Sequence, residues 1–279
     1  MRVRVIENAG FCFGVQRATK LAFETAATTQ GHVFTLGPLI HNPQVVQKLK
    51  DEGVEVVTDL NGVEEGTLIV RSHGLHPTIL KEAKAKGFRI VDATCPFVKK
   101  AQSYAALLKK EGYQVVVVGD RQHPEVQGIE GYSGGNILVV ACPEEVKKLH
   151  LKTKIGVVAQ TTQSLSNFIE IVDELLKSAR ELKIFNTICG ATMVRQKATM
   201  DLSRQVDLML IVGGRNSANT TRLAKICSDA DTPTYLLETA DEIQPEWLKD
   251  KKEIGVSAGA STPNWIITEV VQKLESLAA

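Results

Sequence analysis

Cys12, Cys95 and Cys189 recur at nearly even intervals along this chain of 279 residues, and each stands where a helix is expected to begin. Cys12 lies in Gly10-Phe-Cys-Phe-Gly14 ahead of an amphipathic run over 15–27. Cys95 follows the strand-like stretch 89–91 and precedes Pro96, a residue suited to a first helical position. Cys189 lies in Ile188-Cys-Gly-Ala-Thr192 ahead of a periodic segment over 193–204. Unpaired N–H groups at a helix start favour a thiolate and lower its pKa, which suits it to hold a metal. Structural zinc favours four ligands in close pairs, and no C-x-x-C occurs here. Three isolated thiolates suit a [4Fe–4S] cubane, in which one iron lacks a protein thiolate and acts as a Lewis acid toward a substrate oxygen. Cys142, after a strand, and Cys227, on a helix over 221–228, read as structural.

A second set of residues sits in polar turns that each follow a strand and precede a helix. These are Gly37-Pro-Leu-Ile-His41-Asn-Pro43, Arg71-Ser-His73-Gly-Leu-His-Pro77, Gly119-Asp-Arg-Gln-His123-Pro124 and Gly213-Gly-Arg-Asn-Ser217-Ala218-Asn219. Turns of this kind expose N–H groups that bind anions, and their His, Ser and Asn side chains add hydrogen bonds without a fixed positive charge. Taken one at a time, these residues are also common turn and cap types, and His76 can cap the helix after Pro77. His32 and His150 lie outside the turns. Glu125, two residues past His123, is either a first-turn carboxylate in solvent or an acid held in a pocket. Thr161 and Thr162 either cap the helix that starts near Ser164 or face the same pocket.

The elements that position these residues are short. Apolar runs over 33–36, 67–70, 114–118, 137–140, 155–159, 208–212 and 254–257 read as buried strands. They alternate with helical periodicity over 42–52, 77–87, 97–110, 164–179 and 264–277. The class is α/β with parallel sheets. The recurrence of one cysteine with one or two polar turns predicts a threefold repeat converging on one cavity. Its lobes are expected over 13–95, 96–187 and 188–279, with 1–12 as an N-terminal strand reaching the centre.

Composition excludes several function classes. With 33 basic and 32 acidic residues and 5% aromatics, nothing favours nucleic acid. The first residues lack the apolar core of a secretory signal, and no apolar stretch approaches a membrane span, so a cytoplasmic protein with reduced cysteines is expected. Neither a P-loop nor a G-x-G-x-x-G fingerprint occurs, which implies an external reductant.

Eight motifs in order are carried by Gly10-Phe-Cys12-Phe-Gly-Val15, Ile69-Val-Arg-Ser-His73-Gly, Asp92-Ala-Thr-Cys95-Pro, His123-Pro-Glu125-Val, Gln160-Thr-Thr162, Cys189-Gly-Ala-Thr192, Asn216-Ser-Ala-Asn219 and Gly259-Ala-Ser261. With them the whole chain resembles the 4-hydroxy-3-methylbut-2-enyl diphosphate reductases of the non-mevalonate isoprenoid pathway. The resemblance implies three pseudo-threefold α/β lobes in a trefoil around a [4Fe–4S] cluster on Cys12, Cys95 and Cys189. It also implies an allylic alcohol diphosphate as substrate and two diphosphate products, isopentenyl and dimethylallyl.

Within that resemblance His41, His73, Ser217, Asn219 and Ser261 match diphosphate ligands, and His123 lines the pocket. Glu125 matches the proton donor, Thr161 the hydroxyl that reaches the substrate oxygen, and a ferredoxin or flavodoxin is the implied electron donor. Ala218 departs from the family, which often has a second serine there, and leaves only its backbone N–H to bind phosphate. Two other readings stay open: an iron–sulfur sensor module, and a quinolinate synthase, which shares a three-lobed design but not these motifs.

Overall fold

The computed structural model describes residues 1–63 and 65–278. Its strands form three four-stranded sheets in which every pairing is parallel. The chain groups into two compact units, one made of Arg17–Ile40 and Gln47–Cys189, the other of Met1–Gln16, His41–Val46 and Gly190–Ala279.

The first of these units holds two sheets. One contains β2 (Val33–Leu36), β3 (Val54–Val57), β4 (Thr67–Val70) and β5 (Arg89–Asp92), in the order β3-β2-β4-β5. The other contains β6 (Gln114–Val118), β7 (Leu138–Val140), β8 (Lys154–Ala159) and β9 (Glu181–Ile184), in the order β7-β6-β8-β9. The second unit holds β10 (Leu208–Val212), β11 (Thr234–Leu237), β12 (Glu253–Ala258) and β1 (Arg2–Val5), ordered β11-β10-β12-β1. Each sheet therefore runs second, first, third, fourth, and in the last the N-terminal strand takes the fourth place. This is the repeat expected from the cysteines, built with one strand donated from the far end of the chain.

The central strands are continuous apolar runs because helices cover both faces. Helices α1 (Phe13–Thr28), α2 (Pro43–Asp51), α3 (Pro77–Ala85), α4 (Pro96–Lys110), α5 (Pro124–Tyr132), α6 (Pro143–Val146) and α7 (Leu165–Leu176) precede α8 (Gly190–Ser203), α9 (Ala218–Asp229), α10 (Pro245–Leu248) and α11 (Asn264–Ala278). Val115 and Val117 on β6 pack with Ala101, Ala105 and Leu108 of α4 and with Val126 and Ile129 of α5. In the other unit, Leu208, Leu210 and Val212 of β10 pack with Ile266, Val270 and Leu274 of α11, while Met209 and Ile211 meet Leu223 and Cys227 of α9. Burial of Leu-, Ile- or Val-sized side chains contributes about 1.5–3 kcal/mol each, which fixes the strand ends from which the functional turns depart.

The paired strands finish level: Val118 lies opposite Ala159, Val212 opposite Ala258 and Val70 opposite Asp92. Turns that follow them thus start side by side at the carboxyl ends of parallel strands, where α/β proteins place their ligands. Among the described residues no helix is long and apolar enough to cross a membrane.

Candidate active site

Each polar turn follows the first or third strand of its sheet, and each candidate cysteine follows the fourth. His41 comes after β2, His123 after β6, and Ser217 and Asn219 after β10. His73 comes after β4, Thr161 after β8 and Ser261 after β12. Cys95, Cys189 and Cys12 follow β5, β9 and β1, each immediately before its helix as expected.

The three cysteines share one anchoring bond. Cys95 N–H donates to Ser72 O at 2.9 Å, Cys189 N–H to Thr161 O at 3.0 Å and Cys12 N–H to Ala260 O at 3.1 Å. Every acceptor is the second residue past a third strand, so each sheet ties its cysteine to the neighbouring turn in the same way. No motif in the sequence pointed to these carbonyls, because a backbone acceptor carries no residue type. None of the three forms a disulfide, and all are partly exposed at the start of a helix. Partly exposed cysteine sulfurs outside any disulfide, each at a helix start, fit the ligation of an iron–sulfur group. Cys142 stands at the N-cap position of α6 without a side-chain capping bond, and Cys227 is fully buried, its thiol pushed up to about 12 by desolvation, as a structural cysteine would be.

In the unit that carries α5, Glu125 is 1% exposed, which removes the reading of a solvated first-turn carboxylate. Its Oε1 accepts the Thr161 backbone N–H at 2.7 Å, and its Oε2 pairs with Thr161 Oγ1 at 2.9 Å. Burial raises its pKa to about 7, against the lowering effect of the two Thr161 hydrogen bonds. Desolvation supplies this rise in the protein alone. His123 caps α5, its Nδ1 accepting the Glu125 N–H at 3.2 Å, and its ring meets that of His73 edge-on with centroids 5.4 Å apart. Ser164, not Thr161 or Thr162, caps α7. His76 caps α3.

In the other unit, Ser217 caps α9, Ala218 is the first helical residue and Asn219 the next. Asn219 is 3% exposed, yet neither its Oδ1 nor its Nδ2 has a hydrogen-bond partner among the described residues. A buried amide left unsatisfied costs about 1–3 kcal/mol, a cost typical of a ligand-binding group. Ser261 Oγ donates to His41 O at 3.0 Å, and Gly214 packs so close to that same carbonyl that a Cβ would collide with it. Asn42, which the sequence reading passed over, caps α2 through its Oδ1 and the Val45 N–H at 2.9 Å.

Each sheet delivers one cysteine beside an anchored polar turn, and one unit also holds a buried carboxyl that keeps its proton to about pH 7; the class is an α/β protein of parallel four-stranded sheets. The LytB protein family model matches residues 3–275. A 4-hydroxy-3-methylbut-2-enyl diphosphate reductase of Pelobacter propionicus is 54% identical over 274 residues, covering 98% of each chain. The one from Geobacter sulfurreducens is 51% identical over 275 residues, covering 99% of this chain and 97% of its own. Among solved structures, the E-1-hydroxy-2-methyl-but-2-enyl-4-diphosphate reductase of Plasmodium falciparum superposes with a TM-score of 0.93 at 30% identity, over 99% of this chain and 88% of that one. A second, described as (E)-4-hydroxy-3-methyl-but-2-enyl diphosphate reductase, the terminal enzyme of the non-mevalonate pathway, gives 0.72 at 45% identity over 98% and 99%. The chain belongs to the LytB family of 4-hydroxy-3-methylbut-2-enyl diphosphate reductases.

Proposed function

We propose that this chain converts (E)-4-hydroxy-3-methylbut-2-enyl diphosphate to isopentenyl and dimethylallyl diphosphates, with two electrons and two protons entering and one water leaving. Cys12, Cys95 and Cys189 would hold a [4Fe–4S] cluster. When bound, that cluster supplies the electrons and, at an iron without a protein thiolate, Lewis acidity. Lobe 13–95 would supply Cys95, lobe 188–279 taken with 1–12 would supply Cys189 and Cys12, and lobe 96–187 carries the Glu125–Thr161 pair.

The observation that carries the reading is the buried Glu125–Thr161 pair, whose Thr161 carbonyl also accepts the Cys189 N–H. With the Thr161 N–H fixed on Oε1, the acid's proton belongs on Oε2, facing Thr161 Oγ1. The hydroxyl can accept that proton's hydrogen bond and donate its own hydrogen to the departing substrate oxygen, a two-atom relay. Holding the proton to about pH 7 makes Glu125 a competent acid at neutral pH.

His41, His73, Ser217, Asn219 and Ser261 bind the diphosphate through donors, with the Ala218 N–H in place of a second hydroxyl, and His123 lines the pocket while holding the Glu125 turn. The unsatisfied Asn219 amide supports this assignment. An external ferredoxin or flavodoxin supplies the electrons, in keeping with the lack of a nucleotide fingerprint.

The test is anaerobic purification with iron and sulfide analysis and Mössbauer spectra, with and without the allylic substrate. About four irons, one of them responding to substrate, is the expected result. A full cluster unresponsive to this substrate would favour a sensor or a synthase.

A further inference from the structure

Arg195 is 3% exposed, the deepest-buried arginine among the described residues, and it takes no part in the chemistry assigned above. It lies on α8, the helix that begins right after Cys189. Its Nη2 donates to Gly10 O at 2.8 Å and its Nη1 to Ala258 O at 2.7 Å. Gly10 stands two residues before Cys12, with a φ of 105° that favours glycine. Ala258 is the last residue of β12 and leads into Gly259-Ala-Ser261. One guanidinium thus joins the turn that presents a candidate cluster ligand to the turn that presents a candidate phosphate ligand. The Cys12 N–H to Ala260 O bond joins the same two turns a second time.

A guanidinium costs much to bury, and its planar fork holds two acceptors at a fixed separation that neither lysine nor an apolar side chain reproduces. A device needed only for packing could be apolar. The cysteine turn after β5 has a looser counterpart: Arg17 on α1 donates to Thr94 O at 3.2 Å and to Asp92 O at 3.4 Å. Arginine on a helix that follows one cysteine and reaches the backbone ahead of another is therefore used twice in this chain.

We propose that Arg195 is a positioning residue for the reaction, setting the spacing between Cys12 and Ser261 so that metal and diphosphate are held in one register. The proposal rests on the diphosphate reading of Ser261 given above.

The test compares wild type, Arg195→Lys, Arg195→Gln and a control, Thr199→Val. The control alters the same helix and strand, because Thr199 Oγ1 shares a 2.7 Å hydrogen bond with Ser257 Oγ, but it touches neither turn. Thermal melting, calorimetric titration of the metal-free protein with inorganic pyrophosphate, and iron retained per chain after reconstitution are measured for each. Arg195→Lys is expected to melt cooperatively, to bind pyrophosphate about tenfold to a hundredfold more weakly and to retain less iron. Thr199→Val, whatever its loss in Tm, is expected to keep wild-type affinity and iron.

Wild-type affinity and iron in Arg195→Lys, or losses no greater than those of a control with equal Tm, would overturn the proposal. So would the absence of a cooperative melt in both arginine variants, which would assign Arg195 to fold stability alone. Failure of the wild type to bind pyrophosphate would instead overturn the diphosphate reading, and this inference with it.

Discussion

Glu125 and Thr161 are joined twice, backbone N–H to Oε1 at 2.7 Å and hydroxyl to Oε2 at 2.9 Å, and the Thr161 carbonyl continues the chain of bonds to Cys189. A buried carboxyl, a hydroxyl bonded to it and a candidate metal ligand therefore sit on one hydrogen-bonded run within a single unit. The Thr161 hydroxyl bond favours the ionised carboxylate, so its loss should push the Glu125 pKa above about 7. A general acid works only while protonated. In Thr161→Val the alkaline fall in kcat/KM should move to higher pH, while kcat drops about 10²–10⁴-fold because the relay is gone. An unmoved alkaline limb in the pH–rate profile would separate the two residues.

Glu125 also makes stability depend on pH. The unfolded carboxyl loses its proton near 4.5 and the folded one at about 7. Between these values the folded state holds more protons, so stability present below the lower pKa is lost as pH rises through the upper one. Glutamine does not titrate. Relative to Glu125→Gln, the wild type should therefore lose up to about 3 kcal/mol between pH 4 and pH 8, read from denaturant midpoints of the metal-free proteins at both pH values.

Asn219 predicts a trade between stability and binding. Its two amide atoms are buried without partners among the described residues, so Asn219→Ala removes a polar group that the ligand-free fold does not use. The variant should be as stable as wild type or more stable by about 1 kcal/mol, while pyrophosphate binding weakens about tenfold. Loss of stability without loss of affinity, in parallel melting and titration experiments, would make Asn219 structural.

Gly131 on α5 lies against the His76 imidazole and Pro77 at the start of α3, where a Cβ would collide with both. Gly131→Ala should cost about 1–3 kcal/mol of stability by forcing α5 away, and it should lower kcat because Glu125 is carried on the same helix. Equilibrium denaturation and steady-state kinetics on one preparation test both effects. Full stability would mean that the helices part without strain.

The cysteines divide by position in the sheet. Cys95→Ser and Cys189→Ser should lose or degrade the cluster, since each follows a fourth strand directly at a helix start. Cys142→Ser should keep full iron. Iron and sulfide per chain, measured after identical reconstitution, decide the assignment, and equal values in all variants would contradict it.

The sequence by itself determined the pieces whose cause is local. Apolar runs such as the four valines that end Gln114–Val118 and the whole of Leu208–Val212 form buried central strands because their side chains are apolar on both faces. Pro96 and Pro124 open helices, and Cys12, Cys95 and Cys189 precede them, because those preferences act within a single turn. The strands at Val54–Val57, Glu181–Ile184 and Thr234–Leu237 escaped a search for apolar runs. They lie at sheet edges, where most of their residues are exposed or half-buried and polar residues interrupt the apolar run.

Only the tertiary structure decided that Arg2–Val5 completes a sheet with Glu253–Ala258, that each cysteine N–H meets the carbonyl two residues past a third strand, and that Glu125 is dry. These outcomes depend on groups far apart in the chain. A backbone carbonyl has no identity in a sequence, and the desolvation that raises the Glu125 pKa is a property of what surrounds it rather than of the residue itself.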